Sequence, residues 1–414
     1  MADDERATGP GEVDYADLMK RVEGVVDSIA ERGDLPTVLA IANRVIQSLR
    51  TELGLTGGRL YVRHGDDYVL ETTFPDAKRV RKGLRVPATY PPVDALLEQG
   101  TLFMAAGDPR MDPQLEEELG VKQFAAIEIG DERFDCILAF DVARDADPTG
   151  ILYSLSILRH SINDKLRQGK LDDIYREARR IQHSILPRRM PVYGSFEFAA
   201  RSEPMEIVGG DFYDFIPITD KILGLAIADV SGHGLPAALQ VRDVYTGLRM
   251  GLSRDFKIVR TVERLNEIIH RSTLTSRFVS MVYGELEING NFIYVNAGHP
   301  APYYVRADGT VQALRAGGAV LGPIRQATYE RGFVHLRPGD LVVLTTDGIL
   351  ESQAKGPDGK IGEYGEERLL AVVRAHLERP AKEIVEAVFA DVDHHRGRRA
   401  LKDDRTVVVV RYPG

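Results

Sequence analysis

The stretch from Gly209 to Gly234, GGDFYDFIPITDKILGLAIADVSGHG, sets an apolar run between two acidic clusters. Ile222 to Ala228 has the length and flanking turns of a buried strand, so Asp211, Asp214 and Asp229 fall at strand ends. The turn Ser231-Gly232-His233-Gly234 follows, and a helical pattern begins at Leu235 with Pro236 in its first turn. Carboxylates gathered at the mouth of a sheet repel one another unless a positive group sits among them, and a divalent cation meets that need.

Outward from this stretch the chain reads as strand-rich from Phe196 to its end. Runs at Phe196–Ala200, Gly210–Ile216, Ser280–Glu287, Phe292–Asn296, Tyr303–Arg306, Val311–Leu314, Leu341–Thr345 and Thr406–Val410 join Ile222–Ala228. Asn289-Gly290 and Asp308-Gly309 make hairpins of their neighbours. A helix pair lies between Leu235 and Arg271, and two more helices cover Glu366–His376 and Ala381–Val392. Two packed sheets flanked by helices are expected.

Before this region, Ile151, Leu155, Leu158 and Ile162 recur at helical spacing. After a break in phase around Gly169 the spacing resumes at Leu171, Ile174, Ala178, Ile181 and Ile185. Charged residues fill the other faces, so a heptad seam and a coiled-coil homodimer are expected, the alternative being one helix packed on its own domain. Pro187 and Pro191 end it. Further upstream, helices from Tyr15 and from Pro36 precede a hairpin, a helix at Val93–Leu97 and a second hairpin joined by Gly130-Asp131. The expected division is a disordered tail over 1–13, a first domain over 14–165, a helical linker over 166–190 and a second domain over 191–414.

Composition narrows the class. The 414 residues are 43% hydrophobic, enough for two cores, and 62 acidic residues against 53 basic ones give a net charge of -9. No nucleic acid is expected as partner, since the charge is acidic and dispersed. The one cysteine, Cys136, lies in an apolar run and reads as a core thiol, which excludes an intramolecular disulfide and a cysteine metal cage. No window approaches 18 uninterrupted apolar residues, so no membrane span is expected and the location reads as cytoplasmic.

Five ordered segments carry a resemblance: Gly-Gly-Asp-Phe-Tyr-Asp (209–214), Asp-Val-Ser-Gly-His-Gly (229–234), Asn-Ala-Gly-His-Pro (296–300), Asp-Gly (347–348) and Asp-Asp-Arg-Thr (403–406). Over about residues 180–412 the chain resembles the PPM family of metal-dependent serine/threonine protein phosphatases, in its bacterial RsbU/SpoIIE-like branch. Residues 35–165 resemble a GAF domain in element order. The expected fold is therefore a two-domain α/β (α+β) chain: a GAF-like sensor, a coiled-coil linker and a PPM-type α-β-β-α sandwich.

The resemblance implies two Mn²⁺ or Mg²⁺ ions and hydrolysis of phosphoserine or phosphothreonine by a water activated between them. It implies that Asp229 bridges the ions, that the Val230 carbonyl and Asp211 serve one, and that Asp347 and Asp403 serve the other. Asp214 and Asp404 are expected to orient metal waters, and His233 is a candidate general acid whose alternative role is structural. The implied substrate is a phosphorylated anti-sigma-factor antagonist; what the sensor binds stays open. Two rivals are a metal-binding pseudophosphatase scaffold and a phosphatase of small phosphoesters. The chain departs from eukaryotic relatives where an arginine precedes the first acidic motif: Met205-Glu206-Ile207-Val208 stands there, with Arg201 nearby.

Overall fold

A computed structural model describes residues 20, 24, 35–50, 53–74, 82–130, 135–252, 257–272, 278–355 and 360–413. The expected tail, most of the helix from Tyr15 and residues 356–359 lie outside the described residues. The chain divides into two compact units, Met1–Asp173 and Ile174–Gly414.

The first unit contains, in order, α1 (Leu35–Leu49), β1 (Leu55–His64), β2 (Asp67–Phe74), β3 (Arg85–Pro87), α2 (Pro91–Gln99), β4 (Thr101–Met104), α3 (Pro113–Leu119), β5 (Phe124–Gly130), β6 (Asp135–Val142) and the start of α4 (Pro148–Ile185). The strands form one antiparallel sheet in the order β3-β2-β1-β6-β5-β4. Alternation along each strand feeds two cores. One joins Val38, Ile41 and Val45 of α1 and Ile151, Leu155, Leu158 and Ile162 of α4 to one face of the sheet. The other joins Val93 and Leu96 of α2 and Leu119 of α3 to the opposite face. Cys136 is buried in the first of these cores, under α1 and α4, its thiol pushed well up by that burial.

The helix α4 runs unbroken through Gly169, so the change of phase there is a change of face and not an end. Its buried residues stop at Leu166, whereas Leu171, Ile174 and Ile181 are exposed.

The second unit opens with the last turns of α4 and continues through β7 (Glu197–Glu203), β8 (Asp211–Thr219), β9 (Ile222–Val230), α5 (Gly234–Leu252), α6 (Ile258–Arg271), β10 (Val279–Glu287), β11 (Asn291–Ala297), β12 (Tyr303–Val305), β13 (Val311–Ala313), β14 (Gly317–Gly318), β15 (Gly332–His335), β16 (Leu341–Thr345), α7 (Asp347–Leu350), β17 (Gln353–Lys355), β18 (Ile361–Glu363), α8 (Gly365–Ala375), α9 (Ala381–Arg396) and β19 (Arg405–Arg411). One sheet has the order β14-β11-β10-β9-β8 with β15 on β11, and the other runs β13-β12-β16-β19-β7. Tyr213, Phe215, Leu225, Ile227 and Val282 of the first sheet meet Val342, Leu344, Val408 and Val410 of the second. Outside them, α5 and α6 cover the first sheet and α8 and α9 the second. The result is an α-β-β-α sandwich.

Phe389 anchors the α9 layer. It is fully buried, with the guanidinium groups of Arg201 and Arg405 at 4.3 and 5.2 Å from its ring centroid. Phe389→Ala is expected to cost about 3–5 kcal/mol in urea unfolding of the second unit, and a change within about 0.5 kcal/mol would contradict this packing.

Candidate metal and phosphate site

Strand alternation decides which acids meet. Asp211 and Asp229 are cross-strand partners at the β8–β9 end, so their side chains share one face, the face that Tyr213, Phe215 and Ile227 turn toward the second sheet. From that second sheet, Thr346 at the end of β16 and Thr406 on β19 donate their hydroxyls to Asp211 Oδ2 at 2.8 and 2.6 Å. Thr346 Oγ1 in turn accepts the Thr406 backbone N–H at 2.9 Å, and the Ser202 hydroxyl lies 2.8 Å from Thr406 Oγ1. The two sheets are thus laced together through one buried carboxylate.

Asp347 opens α7, and Asp403 precedes β19. The two approach because Gly348 passes so close to the second sheet that a Cβ there would meet the Asp404 carbonyl at 2.0 Å and the Asp403 Cβ at 3.3 Å. Gly210 has the same function on the first sheet: a Cβ would stand 2.7 Å from the Val230 carbonyl oxygen. Glycine in these motifs is a requirement of space.

The electrostatics record the crowding. Burial, then Asp229 and Asp404, hold the Asp211 carboxyl well above its usual range against the two threonine hydroxyls. Burial, then Asp347, Asp403 and Asp404, push Asp229 up to about 8. Burial, then Asp403 and Glu351, push Asp347 up to about 6. Among the described residues no three acidic, histidine or cysteine side chains close into a cage around one point. The acids instead act on one another electrostatically, which suits hard cations that keep several waters and take few carboxylates each. An all-oxygen donor set and mutual repulsion both fit divalent metal.

The remaining expected residues separate. Asp214 is three residues from Asp211 and therefore faces the other way, where Arg249 of α5 takes its carboxylate at 2.7 Å. This corrects the expectation that Asp214 orients metal waters: it is the ion-pair partner of the helix layer. The Asp404 carboxylate is occupied by the backbone N–H groups of Met205 at 2.6 Å and Gly210 at 2.5 Å, so it fixes the 205–210 loop instead of orienting water. Adjacent Arg405 pairs with Glu203 and, at 2.8 Å, with Asp393. Each residue of Asp-Asp-Arg-Thr thus faces a different part of the fold.

His233 is exposed, with Nδ1 2.7 Å from Glu206 Oε1. Arg201 is held by Glu203 and Glu386 beside α9. His299 is buried and its pKa is pushed down to about 3 by that burial, so it stays neutral, with Nδ1 2.8 Å from Ser280 Oγ. Asn296 closes the turn that carries it through two bonds to the His299 backbone, at 2.8 and 2.9 Å.

Sequence reasoning gave Gln182 no role in the site. Its carboxamide donates to the Gly209 carbonyl at 2.6 Å and accepts the Gly209 N–H at 3.2 Å, while Ile185 and Leu186 pack on the core under α5 and α6. Thr406 was inside a quoted motif, and Thr346 directly before Asp347, without an assigned role.

A helix-flanked double sheet with aspartates gathered at one end of its cleft is the arrangement expected of a PPM-type phosphatase domain. Residues 219–413 match the family described as stage II sporulation protein E (SpoIIE). The chain is 28% identical over 236 residues to phosphoserine phosphatase RsbU of Bacillus subtilis (strain 168), covering 56% of this chain and 68% of that one. It is 24% identical over 327 residues to protein IcfG of Synechocystis, covering 70% of this chain and 50% of that one, so the chain spans about half of that relative. The SiaA-PP2C domain of Pseudomonas aeruginosa shares the fold with a TM-score of 0.53 and 24% identity, over 59% of this chain and 98% of that domain. Through this region the chain is similar to the RsbU/SpoIIE-like branch of the PPM family, the metal-dependent serine/threonine phosphatases.

The raised carboxyls fix a pH dependence. A carboxyl whose folded pKa exceeds its unfolded value of about 4 adds stability that is fully present below that value. The contribution is lost as pH rises through about 6 for Asp347 and about 8 for Asp229. In EDTA, the melting temperature is therefore expected to fall between pH 5 and pH 9, values that bracket those two pKa values. Asp229→Asn should flatten the upper part of that fall, and a profile identical to the native one would contradict the coupling.

Proposed function

We propose that the second unit hydrolyses phosphoserine or phosphothreonine on a protein, with Asp211, Asp229, the Val230 carbonyl, Asp347 and Asp403 holding two divalent cations. One observation carries this reading: the Asp211 carboxylate, pinned by Thr346 and Thr406, faces Asp229 across the β8–β9 pair. Mg²⁺ or Mn²⁺ bound there supplies an acidified water and neutralises charge on the phosphoryl oxygens. The chain's own residues keep Asp211 from rotating, hold the Val230 carbonyl against Gly210, and fix the 205–210 loop through Asp404. Arg201 is committed elsewhere, so phosphate binding rests on the cations. His233 is assigned to the turn contact with Glu206, and no proton step is given to it.

The similarity to RsbU supports a phosphoserine protein as substrate, and the resemblance extends this to a phosphorylated anti-sigma-factor antagonist. We read the first unit as a GAF-like sensor, on its antiparallel sheet order and helix layers. The exposed seam of α4, Leu171, Ile174 and Ile181, supports a homodimer through this helix. Gln182 supplies a route for regulation, because a turn or slide of α4 acts directly on Gly209, two residues before Asp211.

Activity is tested with a phosphoserine protein and with para-nitrophenyl phosphate, each in Mn²⁺ and in EDTA. Mn²⁺-dependent release of phosphate from the protein is expected, and Asp229→Asn and Asp347→Asn should each abolish it with the fold intact. Either variant keeping about a tenth of native turnover with unchanged metal affinity would contradict the ligand assignment. Gln182→Ala is expected to weaken metal affinity about 10–100-fold, as loss of a residue that orients ligands does. Unchanged affinity would remove α4 from the site. In light scattering, Ile174→Glu plus Ile181→Glu should turn a dimer into a monomer, and a native monomer at micromolar concentration would end the seam proposal.

A further inference from the structure

Four of the seven residues from Arg396 to Lys402 are basic, and this run joins α9 to β19 directly before Asp403. It forms one wall of a pocket of about 160 Å³, and Glu351 and Gln353, which follow α7, stand on the other. Asp403 lines the pocket too, and both Asp403 and Glu351 act on Asp347, so the pocket adjoins the centre proposed for the cations.

The fold decides which of these charges are already used. Gly397 takes φ 64° and turns the chain off the end of α9. Arg396 then bonds back to the Arg399 carbonyl and reaches Asp393 Oδ1 at 3.2 Å, so its charge is taken up inside the turn. Arg399 is half-buried, and its guanidinium has no hydrogen-bond or ion-pair partner among the described residues. The Lys402 ammonium lies 2.6 Å from Gln353 Oε1, a neutral acceptor that leaves its charge uncompensated. Of the two acids in the pocket, Asp403 is assigned to a cation and Glu351 is exposed to solvent. Two uncompensated cations therefore stand against one solvated carboxylate, beside a centre that is itself positive once loaded.

Resting on the phosphatase reading above, we propose that this pocket receives an acidic side chain of the phosphoprotein, an aspartate or glutamate within two residues of the phosphorylated serine or threonine. Its volume is several times the space one water requires, which suits one side chain and not a folded segment. Asp403 belongs to both the pocket and the cation centre, and successive residues of an extended chain are only about 3.3 Å apart, so the acid must be a near neighbour of the phosphorylated residue. A carboxylate accepts charge-assisted hydrogen bonds from Arg399 and Lys402, whereas a lysine would be repelled and a glutamine would compensate neither charge. The cations decide where the phosphoryl group goes, and Arg399 and Lys402 select which phosphoprotein presents it.

The test uses the full chain in Mn²⁺ with two phosphoserine peptides that differ only in carrying glutamate or glutamine two residues to either side of the phosphoserine. The glutamate peptide is expected to have a kcat/KM about tenfold higher, through KM, the step one charge-assisted hydrogen bond provides. Fluorescence anisotropy of the labelled dephosphorylated peptides, which cannot be turned over, should show the same preference as binding alone. Arg399→Gln and Lys402→Gln should each bring both preferences toward unity, and Arg399→Glu should favour the glutamine peptide, with the melting temperature as the check on folding. Mn²⁺-dependent turnover of both peptides at equal kcat/KM, or a preference unchanged in the folded variants, would overturn the pocket assignment and leave the phosphatase reading standing. No turnover of either peptide would remove that reading and the pocket's role with it. If one variant fails to fold, the other and the native chain's preference decide the proposal.

Discussion

Everything in the second unit depends on keeping carboxylates together that electrostatics drives apart. Asp211 and Asp229 are neighbours across one strand pair, and Asp347 and Asp403 approach from the other sheet. Burial raises the cost of the charges on Asp211, Asp229 and Asp347. Two threonine hydroxyls on one oxygen of Asp211 offset part of that cost and fix the carboxylate before any cation arrives. A site prepared in this way avoids reorganisation when the metal binds, at the expense of stability in the metal-free chain.

The apolar sandwich is what makes this arrangement possible. Valines 408 and 410 of β19 face the first sheet and valines 407 and 409 face α9, so β19 is rigid on both sides. Thr406 at its start is positioned by the same alternation. The approach of the sheets then sets the glycine requirements at Gly210 and Gly348, where a methyl group would push a ligand carbonyl or a ligand-bearing segment away.

Much of this was legible in the sequence. Strand alternation, Asn-Gly and Asp-Gly turns and the helix patterns locate most elements of the second unit, and acids at strand ends locate the cleft mouth. Asp214 shows where residue type misled: an offset of three along a strand reverses the side chain, and Arg249, far along the chain, claims it. Asp404 is adjacent to Asp403 in sequence yet serves backbone N–H groups. The Gly317–Gly318 strand has no local signal, since it exists only because Asn296 lies so close that a Cβ at Gly317 would fall 1.7 Å from its carbonyl oxygen. Gln182 is a partner of Gly209 only in three dimensions, and a lone glutamine on a polar helix face gives no hint of it. In the first unit the strands read clearly, whereas the pairing of Arg59 with Asp141 and of Glu116 with Tyr90 joins residues far apart in the chain.

The central claim, that these aspartates form one two-cation centre, is tested most directly by anomalous diffraction from crystals of the chain grown with Mn²⁺. Two manganese peaks about 3.5–4 Å apart, with Asp229 between them, are predicted. A single peak, or peaks remote from Asp211, Asp229, Asp347 and Asp403, would contradict the account.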